Sequence, residues 1–144
     1  MITMRRLDAS EARLIIEGAR RQAQASGVPM CIAVTDDSGS LLAFERMDGG
    51  KIHSIAVAQD KAFTAASARR PTDELAALAQ PGQPLFGINV AVSGRFCVVG
   101  GGLPVIVEGQ VVGGIGVSSG TPAQDLECAA AGLAAFHGAQ TAVA

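Results

Sequence analysis

The chain has 144 residues, of which 49% are hydrophobic and 17% charged, and its net charge is −2. This composition fits one globular domain spanning residues 1–144 with a sizeable core, and it excludes intrinsic disorder as the overall state. Five Phe are the only aromatic residues and the basic residues are scattered, which disfavours a nucleic-acid partner. The apolar runs are far shorter than the ~20 residues that cross a bilayer, so we expect no membrane insertion.

The three cysteines, Cys31, Cys97 and Cys128, lie in apolar stretches and form no CxxC pair. An odd number of cysteines without metal-ligand spacing favours reduced core thiols over a disulfide framework or a zinc site. The first ten residues contain no continuous apolar run that could form the hydrophobic core of a signal peptide. Together these features predict a cytoplasmic protein.

The first half of the chain carries clear helix and turn signals. Asp8 and Glu11 have the spacing of a capping box, and Gly27 is a typical helix end. Residues 36–39 have the composition of a turn, and Pro71 must end any helix that precedes it. The predicted elements are a helix over residues 9–26, a hairpin of extended segments over 30–35 and 41–47, and helices over 54–68 and 72–78.

The second half is rich in glycine. Residues 79–96 show no sustained periodicity, which predicts a long surface loop, and residues 96–118 predict two or three strands with a tight turn at Glu108-Gly109. Thr121-Pro122 predicts the start of a last helix that ends near residue 135 or a little beyond. Short hairpins imply an antiparallel sheet that the helices must cover, so we expect a three-layer α/β/α fold.

Two cations lie beside apolar segments. Arg46 follows a predicted strand, where its guanidinium could receive a carboxylate; the alternative is a surface ion pair with Asp48. Lys61, one of only two lysines, shares a helix face with Ala58. It is either a partly buried lysine that points into a cleft or an exposed one.

Two further residues also have alternative interpretations. His53 precedes the second helix and has no other histidine, cysteine or carboxylate at metal-ligand spacing. Zinc is therefore disfavoured, and His53 is either a surface or capping group or the single axial ligand of a haem. Asp125 lies near the start of the last helix, where it could simply complement the helix dipole.

The glycine triplet Gly100, Gly101 and Gly102 is the least usual feature of the sequence. Three consecutive glycines between apolar segments indicate a sharp bend or a close approach of the backbone to another group. Their amides could also form an anion-binding nest, whereas the alternative is a flexible turn.

Several motifs occur in a fixed order along nearly the whole chain: Arg46-Met47-Asp48-Gly49, Lys61-Ala62-Phe63, Gly100-Gly101-Gly102-Leu103-Pro104, Val112 to Ser118, and Gln124-Asp125. In these motifs the sequence resembles the GlcG/HbpS-type haem-binding family, which includes the C-terminal domain of PduO-type proteins. The resemblance implies a profilin-like α/β/α fold with a central antiparallel sheet, a small-ligand pocket, and a homo-oligomer that is a dimer, tetramer or octamer.

Three functional hypotheses follow, of which the third, a purely structural accessory subunit, predicts no ligand. The first is a small-molecule-binding protein whose pocket takes an anionic ligand, haem included; its lining would be Arg46, Asp48, His53, Lys61, Gly100, Gly101, Gly102, Leu103 and Pro104. The second is a cofactor-independent catabolic isomerase, lyase or hydrolase of a small organic or aromatic acid. In that enzyme Arg46 or the amide nest of the glycine triplet would anchor the carboxylate, and Lys61, Glu108 or Asp125 would transfer the proton. No metal is expected beyond a haem iron at His53.

Overall fold

A four-stranded antiparallel sheet forms the centre of the computed structural model, which describes residues 1–143. The strands are β1 (Cys31–Asp36), β2 (Leu41–Arg46), β3 (Gly102–Val107) and β4 (Gln110–Ser118), in the spatial order β2-β1-β4-β3. The β1–β2 and β3–β4 pairs are hairpins, and β1 pairs with β4 from Cys31 opposite Ser118 to Asp36 opposite Gly113. The glycine-rich stretch thus contributes two strands, and residues 97–99 remain outside the sheet.

Within residues 1–143 four helices flank the sheet: α1 (Ala9–Ser26), α2 (Ser54–Ala68), α3 (Thr72–Leu78) and α4 (Pro122–Val143). The first three have the predicted bounds, because their end signals are local. The Asp8 carboxylate accepts a hydrogen bond from the Glu11 N–H, the Glu11 carboxylate accepts one from the Asp8 N–H, and Gly27 ends α1 at φ 74°.

The last helix, α4, is longer than the predicted helix that ends near residue 135 or a little beyond. The helix continues to Val143 because Phe136 is 1% exposed and anchors the added turns on the core. The Gln140 amide also donates to the Glu11 carboxylate of α1, 3.2 Å away. These contacts come from the other end of the chain, so no local sequence signal announces them.

The helices lie in two layers, as the predicted α/β/α fold requires. Ile32 and Val34 of β1 point toward α1 and α4, whereas Cys31 and Ala33 point toward α2, because successive side chains of a strand alternate between faces. The larger core lies on the α1/α4 side. The α2 side is lined mainly by alanines and glycines, so this helix packs very close to the sheet.

Residues 79–96 form the predicted surface loop, with two short 3₁₀ turns at Ile88–Val90 and Val92–Gly94. Among the helices of residues 1–143, none has the length and apolar character needed to cross a membrane.

Candidate functional site

Lys61 and Asp125 form a buried ion pair. The Lys61 Nζ donates to Asp125 Oδ2 at 2.8 Å and to the Val117 carbonyl oxygen at 2.9 Å, and the residue is 1% exposed. The other Asp125 oxygen, Oδ1, accepts from the Gly120 N–H at 2.9 Å. The sequence predicted at most partial burial of Lys61, whereas the structure buries it completely. This burial could not be predicted because the compensating carboxylate, Asp125, lies 64 residues away along the chain.

This pairing changes the roles that were predicted for both residues. Burial of an unpaired ammonium or carboxylate costs several kcal/mol, and each charge here compensates the other. The Lys61 charge is therefore already neutralised. Asp125, at the start of α4, holds Lys61 and the Gly120 amide in addition to complementing the helix dipole.

The glycine triplet lies directly against this pair. A Cβ at Gly101, whose φ is +124°, would stand 2.7 Å from Asp125 Cβ and 2.8 Å from Lys61 Nζ. A Cβ at Gly102 would stand 2.6 Å from Thr72 Cγ2. Close approach therefore explains the two glycines, and the turn is not a flexible one.

The Gly102 amide is also occupied, because it donates to Thr72 Oγ1 at 2.9 Å. An anion-binding nest that includes Gly102 would have to displace this hydrogen bond. Thr72 was not among the predicted site residues, since its partner lies 30 residues away along the chain. Leu103, half-buried, and Pro104, buried, continue β3 opposite Ile115 and Gly114.

A second set of polar residues lies where β2 and β4 end, and we name it the Arg46 edge: Arg46, Asp48 and His53. Arg46 closes β2 opposite Cys31 and is exposed. Within residues 1–143 it makes no ion pair, so the alternative interpretation, a surface ion pair with Asp48, is not what the structure has. Beside it is a cavity of about 410 Å³, lined by Arg20, Gln24, Glu45, Arg46, Met47 and Asp48.

His53 belongs to the same edge because the loop before α2 is tied to the end of β4. The Ser54 and Ser118 hydroxyls lie 3.0 Å apart, and the Lys51 N–H donates to Ser119 Oγ at 3.0 Å. The His53 side chain is exposed and does not cap α2. Residues 1–143 contain no cluster of three or more His, Cys, Asp or Glu that could hold a metal ion.

The structure separates groups that the sequence predicted to lie in one site. Gly102 lies three strands from Arg46, roughly 14 Å at the ordinary strand spacing. Glu108 occupies the β3–β4 turn and pairs with Arg5 at 2.7 Å. It lies six residues along the strand direction from Gly102, roughly 20 Å away, so it does not join Lys61 and Asp125.

The three cysteines are free thiols, as expected. Burial raises the pKa of Cys31 and Cys97, and it raises the pKa of Cys128 to about 11 together with the negative charges of Asp125 and Glu127. A raised pKa keeps a thiol protonated at neutral pH, so none of the three has the thiolate character of a nucleophile.

The comparisons with known proteins identify the family. A family model described as "Haem degrading protein HbpS-like" matches residues 7–134. The chain belongs to the HbpS-like family. This confirms the resemblance that the ordered motifs indicated.

Two curated relatives of this HbpS-like protein span most of its length. A 15.0 kDa protein of the dhaT-dhaS intergenic region of Citrobacter freundii is 36% identical, over 87% of this chain and 93% of that protein. Protein GlcG of Escherichia coli is 37% identical, over 78% of this chain and 81% of that protein. The corrinoid adenosyltransferase PduO of Citrobacter freundii is 31% identical over 91% of this chain, which matches only 39% of that longer protein.

Three solved structures share the fold. Klebsiella pneumoniae protein ORFY superposes with a TM-score of 0.93 at 32% identity, over 95% of this chain and 94% of that one. The PduOC structure, described as a haem complex, gives 0.87 at 30% identity over 90% and 94%. HbpS gives 0.82 at 30% identity over 93% and 92%.

Proposed function

We propose that this HbpS-like protein binds a small anionic ligand at the Arg46 edge, with haem as the first candidate. The observation that carries the proposal is that Arg46 is exposed and has no ion-pair partner within residues 1–143. Arg46 is also one of the residues that line a cavity of about 410 Å³. A guanidinium presents a planar fork of donors that matches a carboxylate. Lys61, the other predicted anchor, contributes less because Asp125 neutralises it.

The residues at this edge suit haem in their chemistry. His53 offers an exposed imidazole for iron, Arg46 a cation for a propionate, and Ile52, 76% exposed, an apolar surface beside His53. A bound haem would supply a redox-active iron. The relative PduOC, whose structure is described as a haem complex, supports haem as the first ligand to test.

The test is titration of haemin and of small organic acids, followed by absorbance and calorimetry. We expect Arg46→Ala to weaken binding about tenfold, the size of a lost hydrogen bond to a charged group. Arg21→Ala, an exposed arginine of α1, is the matched control and should bind like the wild type. Equal affinity of Arg46→Ala and the wild type for every ligand would exclude the site.

The histidines give an independent test for haem. His53→Ala should change the Soret band of the haemin complex, because the iron loses its protein ligand. His137→Ala is the control, since His137 lies on α4 against Phe136, with ring centroids 5.2 Å apart. An unchanged Soret band in His53→Ala would leave the anion site standing but would exclude His53 as the iron ligand.

The alternative, a cofactor-independent catabolic enzyme, has weaker support. Its proton-transfer groups are Lys61 and Asp125, which bind each other, and Glu108, which pairs with Arg5. The enzyme hypothesis would nonetheless be favoured if the wild type converted an organic acid and the Arg46→Ala variant did not.

We also propose that the protein is cytoplasmic and forms a homo-oligomer. The three free thiols support the reducing compartment. Phe86 and Val90, 67% and 76% exposed in the surface loop, support self-association because exposed apolar side chains favour burial. Light scattering on the purified protein tests the oligomer, and a monomer at micromolar concentration would exclude it.

A further inference from the structure

An apolar groove lies between α3 and α4 at Gly100, the first glycine of the triplet. Ala76 of α3 forms one wall, Pro122 and Leu126 of α4 form the other, and Val98 and Val99 form one end. The groove has a volume of about 410 Å³. This is within the range of pockets that bind small organic molecules.

The floor of the groove exists because residue 100 has no side chain. A Cβ at Gly100 would stand 3.3 Å from Asp73 Cβ and 3.6 Å from Pro122 Cβ, so any larger residue would fill the space between α3 and α4. Both walls are anchored beneath this floor. Thr72 holds α3 to the Gly102 amide, and Asp125 holds α4 to Lys61. The groove is therefore preformed.

Among the described residues 1–143, Asp73 is the only one with a charged side chain that lines this groove. Within residues 1–143 Asp73 has no ion-pair partner, whereas the neighbouring Glu74 pairs with Arg70 at 3.3 Å. Lys61, the cation beneath the floor, is neutralised by Asp125. The groove thus combines apolar walls with one carboxylate that has no ion-pair partner within residues 1–143 and lies in the first turn of α3.

From this combination we propose that the groove binds a small organic cation, an ammonium group carried on an aromatic or aliphatic body. The apolar body displaces water from Val99 and Leu126, and the ammonium faces Asp73 at the rim. Anions are disfavoured there because Asp73 repels them. The site is independent of the anion site proposed above.

The test compares three ligands of nearly equal shape: benzylamine, benzyl alcohol and benzoate. Each is titrated into the intact ¹⁵N-labelled protein, and binding is measured from the amide shifts of Val99, Gly100 and Ala123. We expect benzylamine to bind about threefold more tightly than benzyl alcohol, as an exposed ion pair allows. Benzoate should bind most weakly at these amides.

The variants assign the preference to particular residues. Asp73→Asn should abolish the preference for the amine, while Glu74→Gln, the matched change one residue along α3, should retain it. Leu126→Ser should weaken the binding of benzylamine and of benzyl alcohol to the same extent. Arg46→Ala should leave benzylamine binding unchanged, which separates this site from the anion site.

Three results would overturn the proposal. One is equal affinity of the wild type for benzylamine and benzyl alcohol. Another is an unaltered amine preference in Asp73→Asn. The third is the absence of amide shifts at Val99 and Gly100 in a protein that light scattering shows to be a dimer, because a second copy would then cover the groove.

Discussion

Lys61 and Asp125 connect the two helical layers around the end of the sheet. Lys61 belongs to α2 on one face and Asp125 to α4 on the other, yet Nζ and Oδ2 lie 2.8 Å apart, with side chains 1% and 3% exposed. They meet beyond Val117, near the end of β4, and beside Gly101, which precedes β3. The pair therefore joins α2 directly to α4 past the end of the sheet.

Removal of one partner of this pair should therefore lower the free energy of unfolding substantially. Lys61→Met leaves the Asp125 carboxylate buried without its cation, and we expect a loss of about 3–5 kcal/mol in the free energy of unfolding. Urea denaturation measures it, and the milder Asp125→Asn serves if Lys61→Met does not fold. The double variant Lys61→Met/Asp125→Leu should lose much less than the sum of the single losses, because no charge remains buried.

The control for that experiment is the exposed pair Arg70–Glu74. Arg70→Ala should cost less than about 1 kcal/mol, because water already solvates both groups. Losses of similar size in Lys61→Met and Arg70→Ala would contradict a structural role for the buried pair.

Two glycine-to-alanine substitutions should change the stability of the fold in opposite directions. A Cβ at Gly116 would collide with the Ala58 carbonyl oxygen and lie 2.5 Å from the Ala62 nitrogen, so Gly116→Ala must push α2 off the sheet. We expect a loss of about 3 kcal/mol, at the upper end for overpacking. Gly138 lies inside α4 with nothing near its Cβ position, and Gly138→Ala should stabilise by up to about 1 kcal/mol. Thermal unfolding of both variants measures the signs.

The β1–β2 turn should make stability depend on acid pH. Burial by itself raises the pKa of Asp36, but hydrogen bonds to Oδ1 from the Ser38 hydroxyl at 2.6 Å and the Ser38 and Ser40 amides outweigh it, and Arg6 adds to them. The net result is a pKa below the ordinary value of the carboxyl. The ionised form therefore stabilises the fold above the unfolded-state pKa, about 4, and this stabilisation is lost as the pH falls through the folded-state pKa.

The corresponding test is Asp36→Asn, followed by urea unfolding at pH 7 and at pH 3. We expect the variant to be less stable by about 1 kcal/mol at pH 7, and the difference to shrink at pH 3. Asp48→Asn, which changes an exposed carboxylate, is the control and should shift stability little at either pH. If the difference in stability between the wild type and Asp36→Asn grew toward pH 3, it would contradict a lowered pKa of Asp36 in the folded state.

The native thiols should react slowly. Because the pKa of Cys31, Cys97 and Cys128 is raised, we expect only slow labelling by a disulfide reagent at pH 7.5, with the half-buried Cys97 first. Three thiols should react promptly in urea. Cys97→Ser should remove the first phase, and a fast native phase that survives in it would contradict the assignment.

Most of the elements could be predicted because their signals are local. The Asp8–Glu11 capping box and Gly27 define α1, and Pro71 separates α2 from α3. The Glu108-Gly109 turn, with φ of 48° and 77°, defines the β3–β4 hairpin. Each signal acts within a few residues, since caps and tight turns satisfy backbone groups that are neighbours in sequence.

The composition and motif order of this sequence by themselves determined the layered α/β/α architecture and the family. Only the tertiary structure decided that Lys61 is buried against Asp125, that Arg46 remains without an ion-pair partner within residues 1–143, and that Phe136 extends α4. These three outcomes depend on which faces meet when the layers pack. The groups involved lie on separate elements, so no local pattern could anticipate the energy of their contacts.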